Sequence, residues 1–337
     1  VTKNTTDFAG LVTDYLTNYL PLQRNYSHNT VCSYKDALKL LVRFIMEEKS
    51  LSWSDFKMND FNRSLMIEYL EWLRSNGSGI STTNQRLAAL KSFADYAGLE
   101  NVEYLSNLQT VITIKQTKTT SREIKYLTVE QVSKLINLPD INKPTGLRHR
   151  AVLTLLYDSG CRVQELCDIQ LRDIHLGSNP TLRLHGKGDK YRTVVISDNT
   201  GELVSEYISR QRRFAPSDSP LIVNREKGKM SRDGISYIVE KYSAEIRKSD
   251  PSFPENVHPH VLRHSKAMHM LAAGINIVYI RDFLGHEDIS TTMIYARTDN
   301  RLKTEAITKL APKVAGESVF GDWSQNQDLL DFLNSFK

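Results

Sequence analysis

Several things are scarce or missing in this chain of 337 residues. Cys32, Cys161 and Cys167 are its only cysteines, and they form neither an even framework nor a CxxC pair. That argues against a disulfide scaffold and for reduced thiols in a cytosolic protein. No apolar run approaches the roughly 20 residues that span a bilayer, and no signal peptide is visible. No internal repeat or long low-complexity segment stands out. Charge of one sign is not in large excess: 44 Lys and Arg against 39 Asp and Glu give a formal +5. This is mildly basic, compatible with a nucleic-acid partner without demanding one. The first residue is Val rather than Met, so a trimmed or processed chain is expected. Apolar (40%) and charged (25%) fractions are ordinary for a globular protein, and the length allows two separate cores.

The N-terminal part reads as helices. From Asn29 onward, Val31, Tyr34, Leu38, Leu41 and Ile45 make a stripe of helical period. Asp60 is placed to cap a second helix carrying Leu65, Tyr69, Leu70 and Leu73. "NGSG" then breaks the chain, and Ser81 opens a third helix with Leu87, Leu90, Ala94 and Ala97, closed by Gly98. With a short segment between Phe8 and Leu20 these make a small helical domain, residues 1–112. Residues 113–126, "TIKQTKTTSREIKY", are polar, basic and aperiodic, and read as an interdomain linker. Composition fits two roles for its lysines equally: a solvated connector, or contacts to phosphates.

A second domain, residues 127–313, begins where Thr128 and Gln131 form a capping box with Leu127 as its hydrophobic staple. An apolar helix follows around Arg150 to Asp158. "TLRLHGKGDKYRTVVIS" alternates apolar and polar residues on both sides of "GKGD", the pattern of a β-hairpin. Further helical stretches run near 201–213, 233–247, 260–273, 277–283 and from Thr291 on. The chain is therefore expected to be mainly α with a small β-sheet.

Four constellations carry chemistry, and each has a plain reading beside it. In "SGCRVQEL", Gly160 ends a helix, Arg162 starts the next, and Glu165 follows on the same face. Alone, this is a common surface ion pair. In "GKGDKYR", Lys187 sits between two glycines at a hairpin tip, where lysines are usually just solvated; a Walker phosphate loop is excluded by the spacing. In "HPHVLRHSKAMH", His260 and Arg263 share a face near a helix start. His258, His264 and His269 crowd the same stretch, and His260 and His264 have the i, i+4 spacing of a metal pair. The glutamate of HExxH is absent and no nearby Cys or Asp completes a ligand set, so no metal is expected. In "LGHEDISTTMIYAR", Tyr295 follows the Gly-His step by nine residues; alone, it is best read as a packing tyrosine with a polar tip.

In this order within one domain, "GCRVQEL", "GKGDKYR", "HVLRH" and "LGHEDISTTMIYAR" closely resemble the tyrosine recombinases, the family of phage and transposon integrases and of the Xer chromosome-resolution enzymes. The resemblance implies an N-terminal helical core-DNA-binding domain and a mixed α/β catalytic domain, with residues 314–337 as a tail docking on a neighbouring subunit. It implies that Tyr295 attacks a scissile phosphate, leaving a 3′-phosphotyrosyl bond and a free 5′-hydroxyl. A phenol ionises near pH 10, so full ionisation at pH 7 costs about 4 kcal/mol, and proton removal must be coupled to attack. His260 is the expected general base. Arg162 and Arg263 would clamp the phosphate oxygens and His286 would add a hydrogen bond. Lys187 would protonate the leaving oxygen, and Glu165 would orient Arg162 or His260. No cofactor is called for.

The implied partners are double-stranded DNA at specific recombination sites and sister subunits in a homo-tetramer on two duplexes; the sequence leaves open whether accessory proteins set direction. The expected location is cytoplasmic, on DNA, with no membrane. Lys115, Lys118 and Arg122 in the linker, with Arg86 and Lys91 on the third helix, are the candidate DNA contacts. An N-terminal arm-binding domain is expected to be absent. Two rival functions remain at this point: a type IB topoisomerase, and a DNA-binding protein that does not cut.

Overall fold

The structure, a computed structural model, describes residues 6–51, 55–119, 124–186 and 188–298. Two compact units divide between Arg122 and Glu123, inside the stretch read as a linker.

Unit 1 is helical. Helix α1 (Asp7–Asp14) is capped by the Thr6 hydroxyl, which accepts from the Ala9 N–H, and it runs on into a π-helical stretch, Tyr15–Gln23. Helix α2 (His28–Glu48) is capped by Ser27 and buries Leu38, Leu41 and Ile45 of the sequence stripe, while Val31 and Tyr34 lie at its edge. Helix α3 (Arg63–Ser75) starts later than expected. Its cap is Asn62, whose extended backbone lets the side chain accept from the Leu65 N–H. Asp60 instead ends a short 3₁₀ turn and accepts from the Lys57 N–H. Helix α4 (Ile80–Glu100) runs through Gly98 rather than stopping there. Gly98 serves packing: a Cβ on it would lie 3.2 Å from the Leu105 side chain of α5 (Leu105–Ile112).

The unit's core is rich in aromatic edges. Phe8 meets Phe56 and Phe93 in T-shaped contacts at 4.8 and 5.4 Å, an arrangement that the ring quadrupole favours. Where a buried tyrosine needs a polar partner it has one, as Tyr96 donates to Asp14 Oδ2 at 2.6 Å. Ile114 joins this core, and Thr117 is tied down through paired bonds with Asn84.

Unit 2 begins with α6 (Val129–Asn137). Its Thr128–Gln131 capping box is formed, and Leu127 is buried with Val132 in one core. Helices α7 (Pro144–Asp158) and α8 (Val163–Asp168) follow. The three-stranded antiparallel sheet of β1 (Ile174–His175), β2 (Thr181–His185) and β3 (Tyr191–Val195) comes next, in that order. Leu182 and Leu184 point inward and Arg183 and His185 outward, as the alternation predicts. Then come α9 (Asp198–Gln211), α10 (Arg232–Ser249), α11 (Pro259–Ala272), α12 (Ile277–Leu284) and α13 (Ser290–Thr298). The long core lies among α6–α11 and the sheet, and a smaller cluster joins α11, α12 and Tyr295. All three cysteines are free, and burial pushes the Cys161 and Cys167 thiols up to about 11.

Buried histidines make this unit sensitive to acid, His149 among them. His149 bonds Tyr242 through Nδ1 at 3.0 Å, and burial, with the charges of Arg148 and Lys241, pushes it down to about 4. An unfolded histidine titrates near 6.5. Between the two values the unfolded chain binds more protons, so stability falls as pH drops from 6.5 towards 4. His149 alone should remove about 1.4 kcal/mol per pH unit in that window. Thermal melts at pH 7.5, 6.5 and 5.5 should show a flat step followed by a fall; an unchanged Tm at 5.5 contradicts the assignment.

Candidate active site

The site forms around the C-terminal turn of α12. Helix α7 closes at Ser159, and Gly160 takes the left-handed conformation at φ +56° to turn the chain. Arg162 then occupies the cap position of α8 and is folded back on Glu165. Its backbone N–H donates to Glu165 Oε2 and its Nη1 to Oε1, both at 2.8 Å. Glu165 is only 4% exposed. Burial alone would raise its carboxyl, but the bonds and charge of Arg192, with those of Arg162, outweigh that and hold it at about 2.

Arg192 reaches this carboxylate from β3 in a forked pair, Nη1 to Oε1 at 2.9 Å and Nη2 to Oε2 at 2.8 Å. Its Nε donates to the Phe283 carbonyl at 3.0 Å. Arg263, on α11 and almost fully buried, donates to the Gly160 carbonyl at 2.6 Å and the Leu284 carbonyl at 2.7 Å. Arg162 Nη2 donates to the Gly285 carbonyl at 3.2 Å. Three guanidiniums thus end on three successive carbonyls at the negative end of α12. Burial and the neighbouring Arg162 lower Arg263 to about 10, which leaves it charged at pH 7.

Gly285 ends α12 in the left-handed conformation, and His286 follows it. His286 Nδ1 lies 2.8 Å from Thr292 Oγ1, so with the hydroxyl donating, the ring proton sits on Nε2. Burial and the field of Arg263, Arg162 and Arg192 push His286 down to about 4, hence neutral. An open cleft of about 530 Å³ is lined by Arg162, Gly186, Lys190, Arg192, Gly285 and His286. Lys187 itself lies outside the described residues. The hairpin around it is closed by the Gly186 N–H to Lys190 carbonyl bond at 2.7 Å.

Tyr295, on α13, is 1% exposed among Ala267, Met268, Leu271, Ile280 and Leu284. Its hydroxyl lies 2.9 Å from Nδ1 of His264. Burial raises the phenol's pKa, against the opposing pull of Arg263 and Arg162, and pushes His264 down to about 4. His260, one turn earlier on α11, stays exposed with its ring centroid 6.4 Å from that of His264; partial burial and then Arg263 lower its pKa.

Arg162, Glu165, Arg263 and His286 therefore converge, and the group that meets the Tyr295 hydroxyl is His264. In the sequence, His264 stands out only as one of four crowded histidines and as half of a metal pair. Among the described residues no group of three His, Cys, Asp or Glu is placed to hold a metal ion. Arg192 was missed too, though a signal existed. It pairs with Leu184 across the hairpin, on the inward face, and an arginine there needs a buried partner.

Of the candidate DNA contacts, Lys115 and Lys118 are exposed, while Arg86 and Lys91 are half-buried on α4, and Arg122 lies outside the described residues. Burial lowers the Lys91 pKa.

The chain is similar in sequence and in fold to known proteins. Residues 125–301 match the model of the phage integrase family, and residues 13–101 match that of the phage integrase N-terminal SAM-like domain. The tyrosine recombinase XerD of Halalkalibacterium halodurans is 31% identical over 290 residues, covering 85% of this chain and 93% of the relative. The tyrosine recombinase XerC of Herpetosiphon aurantiacus is 32% identical over 291 residues, 84% of this chain and 89% of the relative. Among solved structures, the XerH site-specific recombinase in a post-cleavage complex with its palindromic difH substrate shares the fold. It aligns with a TM-score of 0.68 at 19% identity, over 93% of this chain and 92% of that one.

Proposed function

The chain belongs to the phage integrase family and is a tyrosine site-specific recombinase, and on that premise we propose how its residues divide the work. Tyr295 attacks the scissile phosphate of double-stranded DNA and forms a 3′-phosphotyrosyl bond, releasing a 5′-hydroxyl. Attack by that hydroxyl, or by one from another strand, reverses the step and needs no external energy source. Arg162 and Arg263 stabilise the charge that grows on the nonbridging oxygens, and His286, neutral, donates from Nε2. His260, exposed on α11 and with its pKa lowered from the ordinary imidazole value, takes the phenol proton. Glu165 holds Arg162 in place. The observation that carries this reading is the convergence of Arg162, Arg263 and His286 on one helix end, around the turn at Gly285. The Tyr295 hydroxyl rests on His264, so proton transfer to His260 requires it to exchange that partner.

The reading is tested by trapping on nicked suicide DNA. A stable protein–DNA adduct is expected, and its absence sinks the assignment. Slow or absent relaxation of supercoiled DNA lacking a recombination site separates this enzyme from a type IB topoisomerase.

Lys187 is proposed to protonate the leaving 5′-oxygen. DNA with sulfur at that bridging position leaves as a thiolate and needs little protonation. Lys187→Ala should be slow on ordinary DNA and largely restored on the sulfur substrate, and equal defects on both exclude the role.

Unit 1, residues 113–126 and the lysines and arginines at 86, 91, 115, 118 and 122 are proposed to hold the DNA backbone on either side of the cut. Assembly is proposed to be a homo-tetramer on two duplexes. The tail, residues 314–337, lies outside the described residues and is proposed to dock on the neighbouring subunit. Val278, Tyr279 and Met293 on α12 and α13 are exposed large hydrophobic side chains that such a tail can cover. Light scattering on paired sites with the chain cut after Lys313 measures this; intact tetramers would refute it. Among the described residues no helix is long and apolar enough to cross a membrane.

A further inference from the structure

Arg192 is the one guanidinium of the cluster that the chemistry above leaves unused. Its side chain is 14% exposed, and each of its three nitrogens donates to protein. Two go to the two oxygens of Glu165 and the third to the Phe283 carbonyl. We propose that Arg192 is a positioning residue for strand cleavage: it holds Glu165 and the end of α12 so that Arg162 stays turned to the phosphate and His286 stays beside it. The inference rests on the division of labour just given.

Arg162 and Arg192 share the same carboxylate. Arg162 takes Oε1 with its Nη1, and Arg192 takes both oxygens in a fork. A buried carboxylate must be compensated. With Arg192 present, Glu165 is satisfied and Arg162 keeps donors for a second partner. Without it, Arg162 is the remaining cation on Glu165 and is drawn inward, away from the cleft.

The other tie is to α12. Nε holds the Phe283 carbonyl, two residues before the Gly285 turn that sets His286. Gly285 is bare for the same reason. A Cβ there would lie 2.8 Å from Arg192 Nη1 and 3.0 Å from its Cδ, over backbone already at φ +65°. Arg192 also sits on β3, so one side chain joins the hairpin, α8 and α12. Lysine cannot replace it, because one ammonium lacks the planar fork that reaches two oxygens and a carbonyl together.

The test measures single-turnover adduct formation on nicked suicide DNA, for wild type, Arg192→Lys, Arg192→Met, Glu165→Gln and the double variant Arg192→Met/Glu165→Gln. A second DNA carries a neutral methylphosphonate at the scissile position, which demands less of Arg162. On ordinary DNA, Arg192→Lys and Arg192→Met should cleave about 100-fold slower, the scale of a 1 Å misplacement, with DNA affinity little changed. On the neutral DNA the defect should shrink to about tenfold or less. The double variant should be less slow than the product of the two single defects, since both single variants break the same carboxylate tie and only the Phe283 tie is lost in addition. It also carries no unpaired buried charge, so it keeps the comparison readable if Arg192→Met folds poorly. Near-wild-type cleavage by Arg192→Met, equal defects on the two DNAs, multiplying defects in the double variant, or rates that simply follow melting temperature each overturn the inference. If wild type itself forms no adduct, the functional reading fails first; if wild type cleaves and any of those results appears, only the role of Arg192 fails.

Discussion

Tyr295→Phe should form no covalent adduct on nicked suicide DNA, while binding that DNA within about threefold of wild type, because only a group used in the transition state is lost. The ring should still fill its place among Ala267, Met268, Leu271, Ile280 and Leu284. What disappears is the hydroxyl and its 2.9 Å contact with His264. Losing one such hydrogen bond costs about 1 kcal/mol, small beside the roughly 5–15 kcal/mol of a typical domain. The variant should therefore melt close to wild type, and a denaturing gel should show free protein only. Adduct at the wild-type rate would move the nucleophile elsewhere. Loss of binding together with adduct would make Tyr295 a structural residue.

The second large effect separates two arginines that look alike in the sequence. Arg162→Ala should slow cleavage by about 10²–10³-fold, the usual loss for one preorganised donor, and change binding little. The Arg162 side chain is 33% exposed, and Glu165 keeps its forked pair with Arg192, so melting should hardly move. Arg263→Ala should be as slow and also less stable. Arg263 is 3% exposed and satisfies the Gly160 and Leu284 carbonyls. Its removal leaves two carbonyls without their donors and a cavity, together costing about 2–5 kcal/mol. Single-turnover rates and thermal melts on the same preparations check both. Cleavage and binding falling by equal factors would reduce both arginines to ordinary backbone contacts.

Much of this molecule is written in local patterns. The stripe in α2, the Thr128–Gln131 box and the β2–β3 hairpin depend on residues a few positions apart, so the chain alone determined them. Helix ends were less secure. Asp60 and Asn62 are both capable caps, and Gly98 can end a helix or admit a neighbour; packing against α5 chose the second.

The motifs around Arg162, Glu165, Arg263, His286 and Tyr295 carry a resemblance to the tyrosine recombinases, and the chemistry expected of these residues came from that resemblance. Only the tertiary structure decided what each of them touches. Arg162 meets Gly285 across 123 residues, Arg263 meets Gly160 across 103, and Tyr295 meets His264 across 31. Arg192 meets Glu165 across 27, in a bond that no helical or strand period predicts. Periodicity reports which face of an element is buried. The partner on the other side is set by how separate elements dock, and there the low dielectric of the core turns one choice of partner into a requirement.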